Sequence, residues 1–177
     1  MALERRIANR GMLPSVEPFM QCAVLLLVLA TGTATQSVDA VRTELERRYE
    51  ELARATERRD LSAFLAIRHE TFHSILPDGR LAGPNDMQQY SQGFFNGVLP
   101  PITVKFTIRS LLVSPDGMIA AVEVFQEISR FREVDGQRQK VETTVVQRET
   151  WIKTIEGWKL KLVDNVRDQT RKIDGKH

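Results

Sequence analysis

The stretch from Gln137 to Trp151 constrains the fold more than any other part of this chain. A Val134-Asp135-Gly136 turn opens it, and a second turn at Glu156-Gly157 closes the strand it begins. Within it Val141, Thr143, Val145, Gln147, Glu149 and Trp151 alternate with Glu142, Thr144, Val146, Arg148 and Thr150. A period of two sustained this long marks a β-strand with one face turned to a core. The core-facing set is only partly apolar, however, because Gln147 and Glu149 stand between Val145 and Trp151. Buried polar groups need partners or a cavity, since burying them bare is costly. The pattern therefore predicts a hollow under the sheet.

Neighbouring segments extend the sheet. Met118 to Phe131 places Ala120, Val122, Val124, Gln126, Ile128 and Arg130 on one face, and Ile102 to Val113 alternates likewise around Val104 and Phe106. Ser114-Pro115-Asp116-Gly117 joins the two. If Asp135-Gly136 is a two-residue loop, Val134 pairs with Gln137, Arg130 with Val141, Gln126 with Val145 and Val122 with Glu149. That register keeps Arg130 away from Glu149. A last strand should turn Trp158, Leu160, Leu162 and Asp164 inward and Lys159 and Lys161 outward. From Arg167 the chain reads as polar and loosely held, with residues 171–177 a tail beyond the domain.

Helices precede the sheet. Val38 to Arg59 carries Val41, Leu45, Leu52 and Ala55, with Tyr49 among them, at helical spacing. Glu44–Arg48 and Glu50–Arg54 are spaced as i,i+4 ion pairs. Asp60 is placed to cap a short second helix holding Leu61, Phe64, Leu65 and Ile67. Thr71 to Leu76 reads as a strand, Pro77-Asp78-Gly79-Arg80 as a turn, and Pro84 to Phe95 as a third helix. Helices followed by an antiparallel meander give an α+β class, a curved sheet wrapped around about three helices.

Composition narrows the function classes. A chain of 177 residues with net charge +2 fits one globular domain. Arg47-Arg48 and Arg58-Arg59 lie beside acidic residues and form no basic stripe, which speaks against nucleic-acid binding. Arg5, Arg6 and Arg10, the apolar run from Cys22 to Ala30 and the small residues after it have the order of a secretory signal. Residues 1–34 are thus expected to direct export, to the periplasm or outside the cell, with cleavage after Gly32 or Ala34. The alternative is an uncleaved anchor, the only membrane contact expected. Cys22 is the one cysteine, so thiol catalysis and cysteine metal sites are excluded in a cleaved chain.

The order of several short motifs carries a resemblance. A helix running into Arg59-Asp60-Leu61, Phe64-Leu65 a turn later, Phe72 and Ser74-Ile75 before Pro77-Asp78-Gly79-Arg80, then Thr150-Trp151 and Trp158-Lys159-Leu160 around Gly157 follow in sequence. On these the chain, over residues 35–170, resembles the nuclear transport factor 2-like superfamily and its SnoaL-like members. The resemblance implies a cone: a bent sheet around helices, with a pocket at the wide end and frequent pairing of two copies through the outer sheet face. It also implies no single reaction, since members include ketosteroid isomerase, polyketide cyclases, epoxide hydrolases and dehydratases. The positions of the isomerase's general base and oxyanion-binding tyrosine fall on Leu76 and Leu52. Leucine can neither move a proton nor hold an enolate, so that chemistry is not expected.

Glu149 is the foremost catalytic candidate, since burial would raise its pKa into a range useful for acid–base work. Tyr49 and His73 are the others. His69 and His73, four apart around Glu70, lack a visible third ligand, so neither a metal nor a cofactor is expected. The working expectation is a small apolar or amphipathic ligand held by Gln126, Gln147 and Glu149 between walls of Phe106, Val124, Trp151, Trp158 and Leu160. The enzyme alternative is a lyase, isomerase or hydrolase using Glu149. The third is a homodimerising module with a vestigial pocket, pairing through Thr103, Thr107, Thr144, Val146 and Ile152.

Overall fold

The computed structural model describes residues 37–76 and 78–176; the segment read as a signal, Cys22 included, lies outside them. Ser37 caps α1 (Val38–Glu57), its Oγ accepting from Ala40 N at 3.2 Å. Val41, Leu45, Tyr49, Leu52 and Ala55 form the buried stripe of this helix, three and four apart as one core-facing side requires. Arg59 then takes a left-handed conformation, φ 57°, and Asp60 N donates to Ala55 O at 2.8 Å. That geometry ends a helix by satisfying its last carbonyls. Asp60 at once caps α2 (Leu61–Ala66), accepting from Ala63 N at 2.9 Å.

Of the two expected ion pairs on α1, Arg54–Glu50 forms at 3.4 Å and Glu44–Arg48 does not. Arg48 instead gives Nε to the Trp158 carbonyl at 2.9 Å and Nη1 to Glu51 at 2.7 Å, while Glu44 meets Lys153. Exposed i,i+4 pairs stabilise by only about 0.3–0.5 kcal/mol, so partners on the sheet prevail.

The remaining elements are β1 (Arg68–Ile75), β2 (Leu81–Ala82), α3 (Pro84–Gly97), β3 (Leu99–Val113), β4 (Ile119–Val134), β5 (Gln137–Thr154) and β6 (Gly157–Ile173). They build one curved, unclosed six-stranded sheet in the order β2-β1-β6-β5-β4-β3. The α+β cone is as expected, with one refinement. β1 and β6 pair in parallel, which makes the sheet mixed; α3 and four strands, β2 to β5, intervene before the chain returns beside β1.

β4 and β5 pair without a break from Val134↔Gln137 to Ile119↔Ile152, including all four expected pairs. Asp135 at φ 51° and Gly136 at φ 73° form the tight turn; two positive φ values match the right-handed twist of the strands. The β5–β6 pairing behaves differently, with three register shifts. The first lies between Trp151↔Leu160 and Thr150↔Leu162, so Glu149 pairs with Val163. A single extra residue turns every following side chain to the opposite face. Leu162 and Asp164, expected inward, therefore face out, and Val163 takes the buried place. Asp164 receives Arg148 Nε and Nη2 at 2.8 Å each on the outer face. The expected loose tail is also corrected, since β6 runs to Ile173, paired with Val141. β5 is long enough to offer ladder hydrogen bonds there, and unpaired backbone groups are costly.

Candidate functional site

Glu149 sits on the inward face of β5, 1% exposed. Tyr49 reaches it from the middle of α1, 3% exposed. The Tyr49 hydroxyl donates to Glu149 Oε2 at 2.7 Å. Trp151 Nε1 donates to the same oxygen at 2.8 Å and lies 3.2 Å from the Tyr49 oxygen. Gln147 Nε2 donates to Oε1 at 2.6 Å. A buried carboxylate is tolerated only when paired or hydrogen-bonded, and these three donors supply that condition. All except Tyr49 are two residues from Glu149 on one strand, so the alternation itself assembles the cluster.

Burial pushes the Glu149 carboxyl above the ordinary glutamate value, and the bonds from Tyr49, Gln147 and Trp151 oppose it. The Tyr49 hydroxyl is pushed well above the tyrosine range, by burial first and then by the Glu149 charge. Tyr49 thus remains a donor over the whole working pH range. The arrangement can hold a proton on a carboxyl that no bulk water reaches. Gln147, which donates to its Oε1, is itself only half-buried.

The ring of Phe106 stacks on Tyr49, centroids 5.1 Å apart. Beside it lies Gln126, half-buried, between Phe106 and Val145 in register. Among the described residues the Gln126 side chain has no hydrogen-bond partner. Ile128 and Thr143, one row further from Glu149, are also half-buried. In the other direction the face is closed. Val124, Trp151, Trp158 and Leu160 are between 0% and 5% exposed and pack in one cluster with Val41, Leu45 and Leu52.

The structure thus brings Tyr49, Gln147, Glu149, Trp151 and Phe106 together, with Gln126 at their edge. Trp158 and Leu160 belong to the closed core further along. His73 does not join them: it pairs with Leu162 on β1 and faces away from buried Phe72 and Ser74. β1 begins at Arg68, so His69 and His73 lie about 13 Å apart along one extended strand. Among the described residues no three potential ligands converge on a metal position.

Two groups escaped sequence reasoning. Arg68 is largely buried between the rings of Phe64 and Phe72, 4.7 and 4.4 Å from their centroids, and Nη1 reaches Ser91 Oγ at 2.9 Å. Burial without a carboxylate lowers its pKa to about 10. The signal was present in the sequence as aromatic residues four before and four after it. Arg171 was assigned to the tail; the bulges of β6 return it to the inward face, paired with Thr143.

No family model matches this sequence and no curated protein matches it. Solved structures do. A nuclear transport factor 2-like superfamily protein from Salmonella enterica serovar Typhimurium superposes with a TM-score of 0.59 at 17% identity, over 74% of this chain and 92% of that one. A conserved protein from Planctomyces limnophilus gives 0.60 at 13% identity, over 73% and 98%. A hexachlorocyclohexane dehydrochlorinase gives 0.59 at 12% identity, over 75% and 89%. At these identities the likeness is one of fold.

Proposed function

On the premise of a nuclear transport factor 2-like fold, we propose that this chain binds a small apolar or amphipathic molecule against the open half of its inner sheet face. Phe106, Val145 and Ile128 would supply apolar contact, Gln126 a free amide, and the Glu149 cluster a rigid polar floor. The observation that carries the reading is Gln126. A half-buried amide with no partner among the described residues, two rows from a fully satisfied buried carboxylate, is a group awaiting a ligand or water. The dehydrochlorinase of the same fold, whose name gives a small chlorinated ring as its substrate, is consistent with such an occupant.

A titration with the neutral dye Nile red tests this. The wild-type chain is expected to bind it, and Gln126→Trp, which fills the open half, to abolish binding while leaving the melting temperature unchanged. Unaltered binding by Gln126→Trp would place the dye elsewhere and remove the proposal.

One observation favours a second reading, acid–base catalysis: the carboxyl of Glu149 is raised by burial beside a hydroxyl donor. A substrate would have to displace Gln147 to reach Oε1. In that case turnover as a lyase, isomerase or hydrolase vanishes in Glu149→Gln and persists in His73→Ala. Pairing of two copies through the outer face remains part of the proposal, because Leu112 is 74% and Ile119 46% exposed on that face. So does export directed by residues 1–34; among the described residues no helix is long and apolar enough to cross a membrane.

A further inference from the structure

The far end of the inner face carries a feature that the binding reading does not use. Arg130 and Arg132 on β4 and Arg171 on β6 all project to the side that holds Val141 and Glu149. The register fixes this, since Arg130 pairs with Val141, Arg132 with Gln139, and Arg171 with Thr143. The Arg130 guanidinium lies 5.2 Å from the centre of the Phe94 ring of α3. Gln139 Oε1 accepts from Arg132 Nε at 3.3 Å and Nη2 at 3.0 Å, which holds that fork in one orientation. Tyr90, one helical turn before Phe94, is 69% exposed.

Among the described residues no carboxylate forms an ion pair with any of the three arginines. Burial, and then the Arg171 charge, hold the pKa of Arg130 below its ordinary value, so the cations feel one another. Glu149 is eight residues away along β5, about 27 Å at the rise of an extended strand, and cannot neutralise them. Like charges gathered on a half-buried surface are unfavourable unless an anion sits among them. Arg148, by contrast, is paired with Asp164 on the outer face. The three arginines lie toward the Asp135-Gly136 end of the inner face.

We infer that the bound molecule carries an anionic head group, a carboxylate or phosphate, which Arg130, Arg132 and Arg171 receive while its apolar body lies toward Gln126 and Phe106. This rests on the binding reading above and adds the ligand class to it. Guanidinium groups present paired N–H donors that match both oxyanions. The row of Gln126 and Val145 lies four residues from that of Arg130 and Val141, about 14 Å at strand rise. That span suits a medium-length chain with its charge at one end.

Isothermal titration calorimetry of the purified chain with decanoate, decyl phosphate and neutral decanamide decides it. At least one anion should bind about ten-fold more tightly than the amide, as charge-assisted hydrogen bonds imply, and added salt should narrow the gap. The double variant Arg130→Gln, Arg171→Gln should erase the preference and leave amide binding unchanged, whereas Arg130→Lys should keep it. The tighter of the two anions identifies the head group. Equal affinity for anions and amide in the wild type, or a preference that survives the double variant, overturns this inference and leaves the binding reading standing. If none of the three binds, both fall. The wild-type comparison decides the matter even if the double variant fails to fold.

Discussion

Two halves of one sheet face differ here although the same two strands build both. Toward the β5–β6 turn, Ala120, Val122, Trp151 and Trp158 are at most 1% exposed. Toward the Asp135-Gly136 turn, Gln126, Ile128, Arg130 and Thr143 are half-buried, while Val145 and Val141 beside them are buried. β4 and β5 run through both halves in one unbroken register, so pairing does not make the difference. The covering layer does. The stripe of α1 from Val41 to Leu52 packs on the closed half, and Tyr49 stands at its boundary, stacked on Phe106 and bonded to Glu149. Alternation decides which way a side chain faces; the element packed above decides whether it meets water.

Mutations can break this contrast. Trp151→Ala should be the most damaging, by about 3–5 kcal/mol, because it opens a cavity in the closed half and removes a donor to Glu149. Chemical denaturation would measure it. Tyr49→Phe should cost about 1–3 kcal/mol, since the ring still packs but Glu149 Oε2 loses its hydroxyl donor.

The pH dependence of melting sharpens the account of Glu149. Its folded-state pKa is raised, so the folded chain holds that proton more tightly than the unfolded chain. The resulting stability is fully present below the ordinary glutamate value, about 4.3, and is lost as pH rises through the raised value. The melting temperature of the wild type relative to Glu149→Gln should therefore be highest in acid and decline upward from there. A flat difference would mean that burial does not govern this carboxyl. On the open half, Gln126→Leu should change stability by no more than about 0.5 kcal/mol. Leu112→Glu on the outer face should leave the fold intact and shift sedimentation toward monomer.

Much of this was legible in the sequence. The β4–β5 hairpin followed from Asp135-Gly136 and the alternation on either side, because turn chemistry and period agreed. The meeting of Tyr49 with Glu149 was not, since it depends on how α1 lies across the sheet, which no local pattern encodes. The bulges of β6 were equally hidden. Asn165, at φ 46°, is of a type that favours a left-handed conformation, but the shift that turned Asp164 outward lies earlier, between Leu160 and Leu162, where no residue type signals it. Arg171 was lost for the same reason: a polar strand held only by pairing has no hydrophobic period to read.

The contrast between the halves is open to direct measurement through thiol reactivity. In a Cys22→Ser background, which removes the only native cysteine, Gln126→Cys and Val124→Cys place a thiol in neighbouring rows of the same face. A small maleimide is expected to label position 126 readily and position 124 only at the rate of unfolding. Equal labelling of the two positions would contradict it.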